Sequence, residues 1–109
     1  MTLGEFEEIV LLTVAIMDGK AYGIGIIDEL EKRTNRTTAI GAIQTVLKRM
    51  EDKGWVSSAF GEATRERGGK RKRYYNITQE GRKALAFKKK ERDKLWNAAP
   101  TMSLSDETV

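Results

Sequence analysis

A chain of 109 residues has room for one domain with a modest hydrophobic core. Without cysteine it builds neither a disulfide scaffold nor a zinc–thiolate site, and without histidine it lacks the usual general base, the commonest metal ligand and the usual activator of a serine or cysteine nucleophile. Its charge is uneven: residues 1–35 hold three basic groups against seven acidic ones, whereas the remainder holds seventeen against nine. A split of that kind gives a molecule one side suited to a polyanion. The expectation is a binding protein, not an enzyme, with no metal or other cofactor.

Residues 3–17 read as the first helix. Phe6, Ile9, Val10, Thr13, Ile16 and Met17 recur at helical spacing, while Leu11, Leu12 and Val14 put apolar surface on its other sides. Such a helix needs cover on more than one side, which the centre of its own core or a second protomer can supply. The apolar run is far below the ~20 residues of a bilayer span. It also lacks the basic lead-in and small-residue cleavage site of a secretory segment, so the expectation is a soluble cytoplasmic protein with no place in a membrane. Asp18-Gly19-Lys20 closes this helix with glycine at a usual stop position.

Residues 22–32 form the second helix, with Ile26, Ile27 and Leu30 inward, Asp28, Glu29 and Glu31 outward, and Gly23 and Gly25 permitting close approach near its start. Residues 34–38 are a polar turn, and Thr37 or Thr38 is the expected N-cap of a third helix over residues 39–53. Ile40, Ile43, Leu47 and Met50 form its buried side, and Gly54 its stop. The opposite side carries Gly41, Thr45, Lys48 and Arg49, with Thr38 at the start and Gln44 on a shoulder. That face is small, polar and basic. It is either plain solvated surface with a Lys48–Asp52 pair or a face that another molecule approaches closely where Gly41 has no side chain.

Residues 55–60 and 74–78 are rich in β-branched and aromatic side chains, and the stretch between them is polar, basic and broken by Gly61, Gly68 and Gly69. This predicts a two-stranded ribbon with a loose cationic tip, where Arg65, Arg67, Lys70, Arg71, Lys72 and Arg73 are opposed within residues 65–73 only by Glu66. Strand alternation puts Arg73, Tyr75 and Ile77 on one side and Lys72, Tyr74 and Asn76 on the other. Tyr75 and Ile77 point to the core, and Tyr74 is the more exposed tyrosine. Thr78 then caps a fourth helix, with Gln79 and Glu80 in its first turn and Ala84, Leu85 and Phe87 on an apolar face. The charged run at residues 88–94 before Leu95 and Trp96 fits a solvated face, or a helix that leaves its own domain to join a partner. Pro100 ends it, and residues 101–109 lack periodicity, as in a frayed tail.

Helix, helix, polar turn, helix, ribbon is the order of a winged helix-turn-helix: mainly α with a small β-ribbon. Its third helix enters the major groove, and its ribbon meets the adjacent backbone or minor groove. The expected division is a winged helix-turn-helix DNA-binding domain over residues 1–78, a C-terminal dimerisation helix over residues 79–99 and a disordered tail over residues 100–109.

The chain resembles the PadR-type transcriptional regulators over roughly residues 3–85. The resemblance rests on Tyr22-Gly23 opening the second helix, on Gly41, Ile43, Leu47, Met50 and Gly54, and above all on Gly69, the basic run Lys70 to Arg73, and Tyr74-Tyr75-Asn76-Ile77-Thr78-Gln79-Glu80-Gly81. It implies a bacterial or archaeal repressor that dimerises through its first and last helices on a near-palindromic operator and is often released by a small phenolic or drug-like effector. Gln44 stands where the family commonly has tyrosine, so base preference does not carry over. Only about thirty residues follow Thr78, as in the short subgroup with a single long dimerising helix.

On this reading Thr38, Gly41, Gln44, Thr45, Lys48 and Arg49 face the groove of double-stranded DNA. Gln44 suits an adenine edge and Thr45 a thymine methyl. Arg67, Lys70, Arg71, Lys72 and Arg73 hold phosphates, or one arginine enters the minor groove. Tyr74 is a backbone contact, and Tyr22 a weaker one. Leu95 and Trp96 are either dimer packing or the lining of a crevice between the two last helices where a flat aromatic effector stacks. The alternative function is a winged-helix module that offers its basic arm to an acidic protein partner.

Overall fold

The computed structural model describes residues 3–63 and 71–100. Its elements run α1 (Glu5–Met17), α2 (Gly23–Thr34), α3 (Ile40–Asp52), β1 (Val56–Ala63), β2 (Arg71–Ile77) and α4 (Gln79–Ala98), the strands forming one antiparallel ribbon. This is the winged helix-turn-helix order. Val10, Leu11 and Val14 of α1, Ile26 and Leu30 of α2, and Ile43, Leu47 and Met50 of α3 meet in one core, closed by Trp55 and Val56 where the ribbon starts.

Two inward faces differ from the sequence expectation. In α1, Leu11 is fully buried and Ile16 is about half exposed, so Ile16 leaves the expected inner stripe. A helix apolar nearly all round has no period that selects its inner side. In α3, Val46 joins Ile43, Leu47 and Met50 in the core, while Ile40 is 38% exposed. Ile40 is the first residue of the helix and projects past the core onto the start of α2, so close that a Cβ on Gly23 would stand 2.9 Å from its Cδ1. The N-cap also moves. It is Ala39, without a side-chain hydrogen bond, and neither Thr37 nor Thr38. The hydroxyls of the turn look back to α2 instead: Thr34 Oγ1 donates to the Leu30 carbonyl at 2.7 Å, and Thr37 Oγ1 to Glu31 Oε2 at 3.5 Å.

Gly54 takes φ +80° at the end of α3, a left-handed turn natural to glycine, and sends the chain into β1. The ribbon pairs Val56 with Ile77, Ser58 with Tyr75 and Phe60 with Arg73, then slips before Ala63 meets Arg71. The second strand therefore begins at Arg71, earlier than the run of β-formers that predicted it. Arg71, Lys72 and Arg73 belong to the ladder and not to a loose tip. Ala21 adds a one-residue third rung, its carbonyl accepting from the Tyr75 N–H at 2.8 Å, which fastens the ribbon to the approach to α2.

Thr78 joins the ribbon to α4. Its Oγ1 accepts from the Gly81 N–H at 3.0 Å and donates to the Gly54 carbonyl at 2.6 Å, capping one helix while bonding the end of another. Gly81 is buried there, and Ala84 and Leu85 touch the core. Beyond them α4 leaves the domain: Leu95 is 69% and Trp96 47% exposed. Arg92 ties this distal part back to Glu8 of α1 at 2.9 Å. No described helix is long and apolar enough to cross a membrane.

Candidate nucleic-acid interface

With Ile43, Val46, Leu47 and Met50 turned into the core, the helical period turns Gly41, Gln44, Thr45, Lys48 and Arg49 outward together. They line one open hollow with Asp52, and all five are exposed. Thr38 lies before the helix and is half-buried, apart from that group. A Cβ at Gly41 would meet nothing within 4 Å, so the face is open at its N-terminal end. Lys48 pairs with Asp52 at 3.5 Å, and Thr45 Oγ1 donates back to the Gly41 carbonyl at 2.9 Å. Among the described residues nothing holds the Gln44 amide, which also lines a second hollow with Tyr22, Ile24, Ile40, Lys72 and Tyr75.

The wing residues divide by partner. Lys72 Nζ lies 4.1 Å from the Tyr22 ring centroid and makes no ion pair with a described carboxylate. Tyr74 is half-buried: it stacks edge-on against Tyr22, centroids 5.9 Å apart, and covers Gly61, where a Cβ would come within 2.6 Å of its Cε2. Tyr22 and Tyr74 are thus a wing support as much as a surface. Arg73 is engaged inside the molecule, its Nε donating to Ser58 Oγ at 2.8 Å and its second nitrogen to Glu51 Oε1 at 3.4 Å. Burial pushes the Tyr75 hydroxyl above its ordinary range, against the pull of Arg73 and with that of Glu51. Arg67 and Lys70 lie outside the described residues. At the other end of the molecule, Trp96 joins Glu8, Leu12, Leu85, Lys89 and Arg92 in a groove between α1 and α4, and Leu95 stands away from that groove.

Sequence reasoning passed over Glu7, a buried carboxylate that joins α1 to the far end of α3. Its Oε1 accepts from the Gly4 N–H at 2.9 Å, and its Oε2 accepts from Lys53 Nζ at 3.2 Å and lies 3.8 Å from Arg49. Burial pushes this carboxyl up, but the Gly4 hydrogen bond, Lys53 and Arg49 outweigh that and hold it below its ordinary value. A folded-state value below the unfolded one stabilises the fold above the ordinary carboxylate range, and the benefit disappears as pH falls through the folded value. Glu7→Gln is expected to cost about 1.5–3 kcal/mol at neutral pH, the worth of hydrogen bonds to a charged group. Urea unfolding should show that cost shrinking in acid, where the wild-type carboxyl is protonated too. Its one local signal was the spacing Gly4-x-x-Glu7, in which a glutamate reaches back to the N-terminal N–H of its own helix.

An exposed polar-basic helix face beside a cationic β-wing defines the class, a winged helix-turn-helix of the DNA-binding type. The profile of the Transcriptional regulator PadR-like family matches residues 11–87. The chain belongs to that family, whose members are transcriptional regulators and not enzymes. Among solved structures it is similar to a PadR family transcription regulator from Clostridium difficile, with 27% identity and a TM-score of 0.67 over 84% of this chain and 92% of that one. It is also similar to a transcriptional regulator from Clostridium thermocellum, with 28% identity and a TM-score of 0.68 over 84% and 88%. A PadR-like transcriptional regulator from Bacillus cereus shares the fold at 21% identity, with a TM-score of 0.68 over 84% of each chain. No curated protein matches the chain.

Proposed function

We propose that this chain is a sequence-specific repressor that binds a near-palindromic operator as a homodimer. The observation that carries the reading is the open face Gly41, Gln44, Thr45, Lys48 and Arg49, lined with one carboxylate, Asp52, beside a wing whose Lys72 shares a hollow with Gln44 and whose Lys72 and Arg71 have no described carboxylate partner. Gln44 reads a base edge, because its amide is exposed and otherwise uncommitted. Lys48, Arg71 and Lys72, with Arg67 and Lys70, hold the phosphates that set register. Thr38 and Tyr22 lie at the edge of this surface as backbone contacts.

The dimer forms through α1 and α4. Leu12, Ile16, Phe87, Leu95 and Trp96 are large apolar side chains left exposed on those two helices, and a second copy of the same helices covers this apolar surface. A flat aromatic effector fits beside Trp96, between the paired last helices, where it changes the spacing of the two DNA-binding heads. In domain terms, residues 1–78 are the winged helix-turn-helix that holds the DNA, with α1 also meeting the partner protomer, and residues 79–99 are the dimerisation helix, in the cytoplasm where the operator is.

The test is selection of bound duplexes from a random pool, with wild type and Gln44→Ala compared. The wild type should return an inverted repeat with half-sites about 10 base pairs apart or a multiple of it. Gln44→Ala should lose preference at one position in each half-site, a change of roughly 1–3 kcal/mol in discrimination, and keep the rest. Equal loss on selected and random duplexes removes the base-reading role. A protein that captures no duplex at low salt but holds an acidic protein instead is the interaction module.

A further inference from the structure

We propose that Phe60 is a positioning residue of the wing: its ring aims Arg71 at the phosphates of the duplex, while Arg73 is reserved for fastening the wing to the recognition helix. This rests on the DNA-binding reading above and adds to it a residue that no motif singled out.

Phe60 is near the end of β1, paired across the ladder with Arg73, and it is 55% exposed on a ribbon whose Val56, Tyr75 and Ile77 pack against the core. Two guanidinium groups lie against it, Arg71 and Arg73, each with its central carbon 5.3 Å from the ring centroid. They are not equivalent. Arg73 donates to Ser58 and Glu51, and Ser58 Oγ donates to the second Glu51 oxygen at 2.5 Å, so helix α3 and both strands meet in one network. A guanidinium committed to a carboxylate has fewer N–H groups and less uncompensated charge to offer DNA. Arg71 is exposed and makes no ion pair among the described residues, so no described carboxylate occupies its donor fork. The aromatic face attracts the cation without using any of its N–H groups. An exposed arginine otherwise samples many rotamers, and ordering it beforehand removes part of the entropy lost on binding.

The experiment measures affinity of the full-length protein for one selected duplex and one unrelated duplex across salt, for wild type, Phe60→Ala, Phe60→Leu, Phe60→Tyr, Arg71→Ala and the double variant Phe60→Ala/Arg71→Ala. Phe60→Ala should bind about two- to five-fold more weakly for each wing, the range of an exposed cation–π contact, and equally so on both duplexes. Phe60→Tyr should restore binding, and Phe60→Leu, which fills space without an aromatic face, should not. The double variant should be no weaker than Arg71→Ala, because Phe60 acts through that arginine. Wild-type binding by Phe60→Leu, or losses that multiply in the double variant, overturns the role of Phe60 and leaves the DNA reading standing. A wild-type protein that binds neither duplex overturns both.

Discussion

Gly81→Ala is expected to destabilise the protein by about 3 kcal/mol, the upper end of what an added methylene costs in a closed site. A Cβ built there would stand 2.2 Å from the Trp55 carbonyl oxygen and 2.8 Å from Ile77 Cγ1. The nearer atom is backbone, and it is held: the Trp55 carbonyl accepts from the Thr78 N–H at 3.0 Å. No side chain can rotate away to make room, so the first turn of α4 must lift off the start of β1. Lifting it strains the Thr78 hydroxyl, which bonds the Gly81 N–H and the Gly54 carbonyl together. Gly41 is the internal comparison. An alanine Cβ there meets nothing, so Gly41→Ala should raise stability by roughly 0.5–1 kcal/mol through helix propensity. Urea unfolding of both variants beside wild type checks the pair. A Gly81→Ala protein as stable as wild type contradicts the tight seating of α4.

Helix α3 was legible because one period determines both of its faces. Once Ile43, Leu47 and Met50 are inward, Gln44, Thr45, Lys48 and Arg49 have nowhere to go but out. Ile40 shows the limit of that reasoning: the period gives its direction, and only the neighbouring start of α2 decides what lies there. In α1 even direction was open, since Leu11 and Ile16 are equally apolar and only tertiary packing separates them. The strand that begins at Arg71 was hidden by its composition, because lysine is depleted in strands and arginine is not among the residues enriched there, so their pairing depends on β1 alongside. Least visible were the ion pairs. Lys53 and Glu7 stand 46 residues apart, and Glu51 and Arg73 stand 22 apart. A basic run in a sequence counts Arg71, Lys72 and Arg73 alike, but in the fold Arg73 pairs with Glu51 and the other two have no acidic partner among the described residues.

That inequality sets the size of the salt effect. Lys48, Arg71 and Lys72 are exposed or half-exposed cations, of which only Lys48 has a described carboxylate, the also exposed Asp52. Arg49 and Arg73 are shared with Glu7 and Glu51. With Arg67 and Lys70 added, the proposed homodimer should meet about three to five phosphates through each protomer, about six to ten in all. Counterion release then lowers affinity by roughly 10³–10⁵ between 50 and 200 mM salt. Arg71→Ala should weaken binding to every duplex and reduce the steepness of that dependence by about one phosphate for each wing. Arg73→Ala should behave differently. It removes the bond between wing and helix, so it should weaken binding while changing the steepness much less. Titrations of both variants and wild type at several salt concentrations separate the two arginines. Equal slopes for Arg71→Ala and wild type would show that Arg71 meets no phosphate, and a flat wild-type line would show that the cationic wing meets none at all.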